Sequence, residues 1–197
     1  MSAKAGSAGW LVLLVFLVGA AGAGLLALYL PYRRAQQLGS NERNAGTTLK
    51  MLASAQADFR ANDRDGNGVN DFWTGDIAGL FQYGLIPREL AEADGRPLVP
   101  LVSKPVEYMG YYFVAMQTDE SEQPPEELRQ DTDKKSGKVH HRTKFAYCAY
   151  PVEFGVTGRN SLIINENNTI RWSYTQGDAV LQWPSDDDMR QLWSIGG

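Results

Sequence analysis

The stretch "NDRDGNGVNDFW", Asn62–Trp73, holds the residues best suited to chemistry. Asp63, Asp65 and Asn67 alternate, Gly68 follows, and Asp71 comes three residues later. Alternate residues of a tight loop turn their side chains to one side. A hard cation such as Ca2+ takes about six to eight oxygens, and such a loop can gather them. Gly68 permits a sharp turn, and the Val69 carbonyl supplies a backbone oxygen. The candidate metal ligands are therefore Asp63, Asp65, Asn67, Val69 and Asp71, around a structural Ca2+. A metal-free polar turn is the other reading, because Asp, Asn and Gly favour turns without any ligand.

The spacing resembles the first nine positions of an EF-hand loop, and the loops of dockerins and thrombospondin-type repeats. Thr74 stands at position twelve, where an EF-hand carries a bidentate Glu. A metal here would clamp the preceding helix to the domain that follows.

Other chemistry is sparse. The sequence has no nucleophile elbow, no Gly-rich phosphate loop after a strand and no zinc helix. The chain therefore reads as non-enzymatic, with no small-molecule substrate identified. Its one cysteine, Cys148, excludes an internal disulfide and reads as a buried strand residue. His140 and His141 are adjacent, so on a strand they face opposite ways and do not easily share one metal. A net charge of −4 gives no pull toward nucleic acid.

The elements that position the loop begin upstream. Trp10–Leu30 is uncharged and apolar. At about 1.5 Å per residue, a helix of this length spans a hydrocarbon core of about 30 Å. A secretory core is shorter, so a retained anchor is the reading, with the lipid bilayer as partner. Beyond Pro31, Leu38, Ala45, Leu49, Leu52, Gln56 and Phe59 recur at helical steps, as one stripe of an amphipathic helix. The spacing predicts a helix from about Trp10 to about Ala61, kinked at Pro31.

That layout resembles type IV pilins and the pseudopilins of type II secretion, the G-type stalk in "TLKMLASAQADFRA" included. Gly9 before Trp10 is similar to a prepilin peptidase junction, which makes Gly9 and Trp10 the processing pair. Pro31 matches the pilin helix proline. At the fifth residue of the mature chain, where pilins carry a Glu, this chain has Leu14. The resemblance implies a structural or assembly protein of a type IV pilus or secretion system, with protein partners met through the helix and the head. It also implies a single-pass topology: N-terminus cytoplasmic, head periplasmic or extracellular. The alternative is a membrane-tethered calcium-binding domain that is not part of a filament.

Downstream, "EYMGYYFVAMQ", "KFAYCAYPVEF" and "RNSLIINENNTIRWSY" read as two strands and a hairpin. The fold class expected is α+β and pilin-like. A long helix, transmembrane and then stalk, packs on a small antiparallel sheet of three or four strands. The divisions are a leader at 1–9, the transmembrane helix at 10–30, the stalk at 31–61 and the head at 62–197. Within the head, 118–142 reads as an exposed polar loop. The C-terminal "WPSDDDMRQLWSIGG" reads as a short helix capped by Ser185, with Met189, Leu192 and Trp193 inward.

Overall fold

The computed structural model describes residues 7–100, 102–130 and 140–196, with side chains from residue 27 onward. Two compact units divide the chain, Met1–Gln37 and Leu38–Gly197. Helix α1 (Ser7–Ala61) begins in the first and ends in the second, with Pro31 inside it. In the first unit Leu28, Tyr29, Leu30 and Tyr32 are all exposed. The Arg33 guanidinium lies 5.7 Å from the centroid of the Tyr29 ring. Among the described residues no helix is long and apolar enough to cross a membrane. The leader at 1–9 and most of the Trp10–Leu30 anchor, with the processing pair Gly9 and Trp10, fall on side chains outside the described residues.

The second unit is built on the stripe read from the sequence. Leu38, Ala45, Leu49, Leu52, Gln56 and Phe59 are all buried. Each large apolar member contributes about 1.5–3 kcal/mol by leaving water. Gly46 lets the helix approach the sheet: a Cβ there would lie 3.4 Å from Ile170 Cδ1. Asn41 is also buried and donates from Nδ2 to Thr157 O at 2.8 Å.

After α1 come β1 (Phe72–Trp73), α2 (Gly79–Gln82), α3 (Arg88–Glu92), β2 (Tyr111–Ala115), β3 (Thr118–Asp119), β4 (Glu126–Glu127) and β5 (His140–His141). Then follow β6 (Ala146–Pro151), β7 (Ser161–Asn165), β8 (Arg171–Ser173), β9 (Gln182–Trp183), α4 (Asp186–Leu192) and β10 (Ser194–Ile195). The main sheet has five antiparallel strands in the order β10-β8-β7-β6-β2. A three-stranded sheet, β4-β3-β9, includes the parallel pair β3 and β9, and β1 pairs with β5 in a two-stranded sheet.

This corrects the expected fold class. An α+β, pilin-like head with one small sheet of three or four strands is not what forms. The head is mostly β, with a five-stranded sheet and two further sheets. The physical reason is that both faces of the main sheet are apolar, so it needs two covers. Along β2, β6 and β7, Phe113, Tyr147, Ala149, Leu162 and Ile164 pack with the α1 stripe. The alternate residues Val114, Cys148 and Ile163 pack with Leu128, Trp183, Met189 and Trp193. The second cover comes from β9, α4 and the segment after β4, which recruits their backbone into extra strands.

Part of the 118–142 segment is therefore strand: β3, β4 and β5 lie within it, while 131–139 lies outside the described residues. Helix α4 starts at Ser185, whose Oγ accepts from Asp188 N at 3.2 Å. Met189 and Trp193 are buried as read, but Leu192 is exposed, because only the first two reach the sheet face.

Cys148 is fully buried on central strand β6, and burial pushes its thiol up to about 12. The thiolate is the reacting form. Maleimide should thus label Cys148 slowly in the folded chain and quickly in denaturant. Equal rates in a stopped-flow assay would contradict the buried placement.

Candidate metal centre

Helix α1 ends where the loop begins. Asn62 N and Arg64 N donate to Asp58 O and Phe59 O at 3.1 and 3.2 Å, and Asp63 takes a left-handed φ of 45° between them. An αL residue just past the last turn is a common way to end a helix, and Asp tolerates it better than most residues. Gly66 N then donates to Asp63 O at 2.9 Å. Gly68, at φ 78°, donates its N–H to Asp63 Oδ2 at 3.0 Å. Asn67 Oδ1 accepts from Val69 N at 2.6 Å.

The result is a loop with two sides. Residues 62, 64, 66, 68 and 70 are exposed, whereas Asp63, Asp65, Asn67 and Val69 are half-buried and Asp71 is buried. All five residues singled out from the sequence thus turn inward. The shielding reaches their polar atoms. Asp63 Oδ1, both oxygens of Asp65, Asn67 Nδ2 and Asp71 Oδ1 are closed off from solvent. Asp63 Oδ1 and Asn67 Nδ2 have no hydrogen-bond partner, nor has the buried hydroxyl of Thr74. A buried polar group without a partner costs on the order of 1–3 kcal/mol, and more if charged.

A sixth residue joins the loop from far along the chain. Strand β1 pairs with β5, setting Trp73 opposite His140 and Phe72 opposite His141. The His140 side chain is 0% exposed, and its Nε2 lies 3.1 Å from Asp65 Oδ2, itself on a side chain 1% exposed. That contact lacks the angle of a hydrogen bond, and neither ring nitrogen of His140 has a hydrogen-bond partner. The ring is held by packing instead. It stacks on Phe59 at 6.0 Å and meets Trp73 edge-on at 5.5 Å between centroids. The sequence reading noticed His140 but left it out of the site. The signal for it was present only in the pairing of two two-residue strands.

The three loop carboxylates are not gathered to ligand distance as a trio. Among the described residues, ligand oxygens that all lie within 4.8 Å of one another occur elsewhere, at Asp119, Glu122 and Glu126. There the centre is filled by an ammonium. Lys144 Nζ lies 2.8, 2.8 and 2.9 Å from Asp119, Glu122 and Glu126. Burial is the largest influence on Asp119 and raises it, but the hydrogen bonds from Lys144 and Ser121 together outweigh burial and hold the carboxyl below its usual range. A hydrogen bond from the same lysine is the largest influence on Glu126 and holds it low. Burial would lower Lys144, and the carboxylates overcome that and hold it above its usual range. His141 Nδ1 accepts from Lys144 N at 2.9 Å, and its Nε2 faces Glu126 Oε1 at 3.2 Å. A cluster whose charge is met by its own lysine is an ion-pair network rather than an open metal site.

Two more buried acids are also accounted for. Asp76 accepts from Gly79, Leu98 and Val99 backbone N–H groups and from Trp73 Nε1. Asp94 accepts from Ile77, Ala78 and Arg96 N–H groups, while burial pushes its carboxyl up to about 6. Both tie loops together, and their oxygens are occupied.

In the loop at Asp63–Asp71, by contrast, Asp63 Oδ1 is shielded and has no hydrogen-bond partner. Its side chains offer oxygen, and His140 adds a nitrogen at the rim. No curated protein and no solved structure matches the chain. The family described as "Protein of unknown function (DUF2950)" matches residues 31–176, which takes in the stalk, the loop, His140 and the main sheet as far as β8. That match covers most of the chain, and the chain belongs to this family.

Proposed function

We propose that this chain is a non-enzymatic, membrane-anchored structural protein whose extracytoplasmic head is locked by Ca2+ in the Asp63–Asp71 loop. The observation that carries the reading is the inward turn of all five candidate ligands, with Asp63 Oδ1, both Asp65 oxygens and Asp71 Oδ1 shielded from water. Burying carboxylates is costly unless a cation meets them. The loop is also placed where a clamp has an effect. It joins the end of α1 to β1, and β1 in turn holds Gln56 of the stalk. Gln56 Oε1 accepts from Trp73 N at 3.0 Å, while its Nε2 donates to Trp73 O and to the Tyr147 hydroxyl.

Support for the anchor is the uncharged Trp10–Leu30 run. The exposed Tyr29 and Tyr32 sit beside Arg33 and Arg34 at its end, as aromatic and basic residues do at a membrane interface.

Titration of the full chain in mild detergent with CaCl2, followed by calorimetry, should show one site that Asp65→Ala removes. Alkaline phosphatase fused after Gly197 should be active, because the enzyme needs the extracytoplasmic side. No heat of calcium binding would end the calcium reading. An inactive phosphatase in a well-expressed fusion would end the topology.

A further inference from the structure

We infer that the cavity between the β7–β8 turn, β9 and α4 binds a small, neutral, hydroxyl-rich ligand, a mono- or disaccharide. The cavity lies on other elements than the Asp63–Asp71 loop and is independent of the clamp proposed there.

It arises from the way the second face of the main sheet is covered. On that face Val114, Cys148 and Ile163 pack with Trp183, Met189 and Trp193. Side chains alternate along a strand, so the next residue of β7 on this face is Asn165. Arg171 of β8 pairs with Ile163 and shares the face. Both are polar, and the apolar packing stops at them. What remains is a cavity of about 350 Å3, with Trp183 and Met189 at its apolar edge. That is at the small end of the range of about 300–1,000 Å3 that ligand sites occupy.

Its polar wall is built into the fold. Asn165 is 9% exposed and Asp119 6%. Asn165 Oδ1 accepts from Asn167 N at 3.2 Å, which sets the orientation of the amide. Among the described residues Asn165 Nδ2 has no hydrogen-bond partner, and neither has the half-buried Arg171 guanidinium. These are the open donors. The acceptors facing them are the carboxylates of Glu122, Glu166 and Asp186. Glu166 Oε2 takes Phe145 N at 3.3 Å and, with two lone pairs, accepts a second donor. Asp119 and Lys144 are engaged with each other at 2.8 Å and hold the wall in place.

The wall then selects the ligand. Acidic side chains around the cavity outnumber the basic Lys144 and Arg171, so an anion is repelled. A cation has no acceptor to offer Asn165 Nδ2 or Arg171. A hydroxyl group donates and accepts at one atom, so it serves a carboxylate and an amide together. Several hydroxyls on a small uncharged frame meet both sets of groups.

The test uses the full chain in a detergent without a sugar headgroup, with maltose, cellobiose and N,N′-diacetylchitobiose as probes and glycylglycine as the zwitterionic comparison. Saturation-transfer NMR at millimolar sugar should show saturable transfer to at least one of the three. Arg171→Met should weaken that binding tenfold or more. Arg43→Met, at an exposed position of α1, should leave it unchanged. The wild-type titration needs no variant, so a folding defect in Arg171→Met cannot mask the result.

If none of the sugars binds, the ligand class is overturned and the cavity holds water alone. Binding of glycylglycine without any sugar overturns it in favour of a zwitterion. Sugar binding that Arg171→Met leaves unchanged places the site elsewhere and overturns the assignment. Each of these results leaves the calcium clamp standing.

Discussion

In millimolar calcium the full chain should melt several degrees higher than in chelator, and Asp65→Ala should remove the difference. A ligand that binds only the folded state stabilises it by RT ln(1 + [L]/Kd), about 2.7 kcal/mol at a hundredfold excess over Kd. For a unit of this size, roughly 1 kcal/mol moves the midpoint by about 2–4 °C. Asp65 is the informative position because its oxygens are shielded and it faces His140. It makes no contribution to either apolar cluster, so its loss spares the core. Magnesium should raise the midpoint less, since it demands a tighter octahedral shell and keeps its own waters. Identical melting curves with calcium and with chelator would show that the loop is a polar turn.

The second large effect is expected at the ion-pair network. Lys144→Met should destabilise the head by about 2 kcal/mol at neutral pH. Breaking a buried pair costs about 3–5 kcal/mol, and exposed pairs are worth less than about 1. This network lies between those limits: Asp119 is 9% exposed, Glu126 34% and Glu122 54%. Truncation leaves three carboxylates with oxygens inside 4.8 Å and no cation between them.

The pH dependence follows from the direction of the shifts. Asp119 and Glu126 sit below their usual range in the folded chain. Their contribution is present above the unfolded value near 4 and is lost as pH falls through the lowered folded values. In the variant the sign reverses, because protonation relieves the repulsion. The gap between wild type and Lys144→Met, read from urea unfolding, should therefore narrow from pH 7 to pH 4. A gap of equal size at both pH values would show that Lys144 acts through its packing alone.

Much of the head could be read from residue order. The α1 stripe was legible because its apolar residues repeat at helical steps over more than twenty positions. The longest strands, β2, β6, β7 and β8, were legible as runs of β-branched and aromatic residues. The inward turn at Asp63–Asp71 was legible because its donors alternate, and alternation is a local property. Ser185 announced α4 in the same way, by a cap followed by three acids.

The chain by itself thus determined the elements with a period: the stalk helix, the long strands and the donor side of the loop. Only the tertiary structure decided how they are completed. Strands β1, β3, β4, β5, β9 and β10 are two residues each, too short to show any period, and they form because a neighbour offers a free backbone edge. Such pairing set five strands in the main sheet where three or four were expected. It also brought Lys144 among Asp119, Glu122 and Glu126. And it carried His140 to Asp65 across more than seventy residues, a contact that depends on the β1–β5 register and on the rings of Phe59 and Trp73. Local preference acts between neighbours in sequence. A contact between distant residues is fixed only when burial and backbone pairing close the chain on itself.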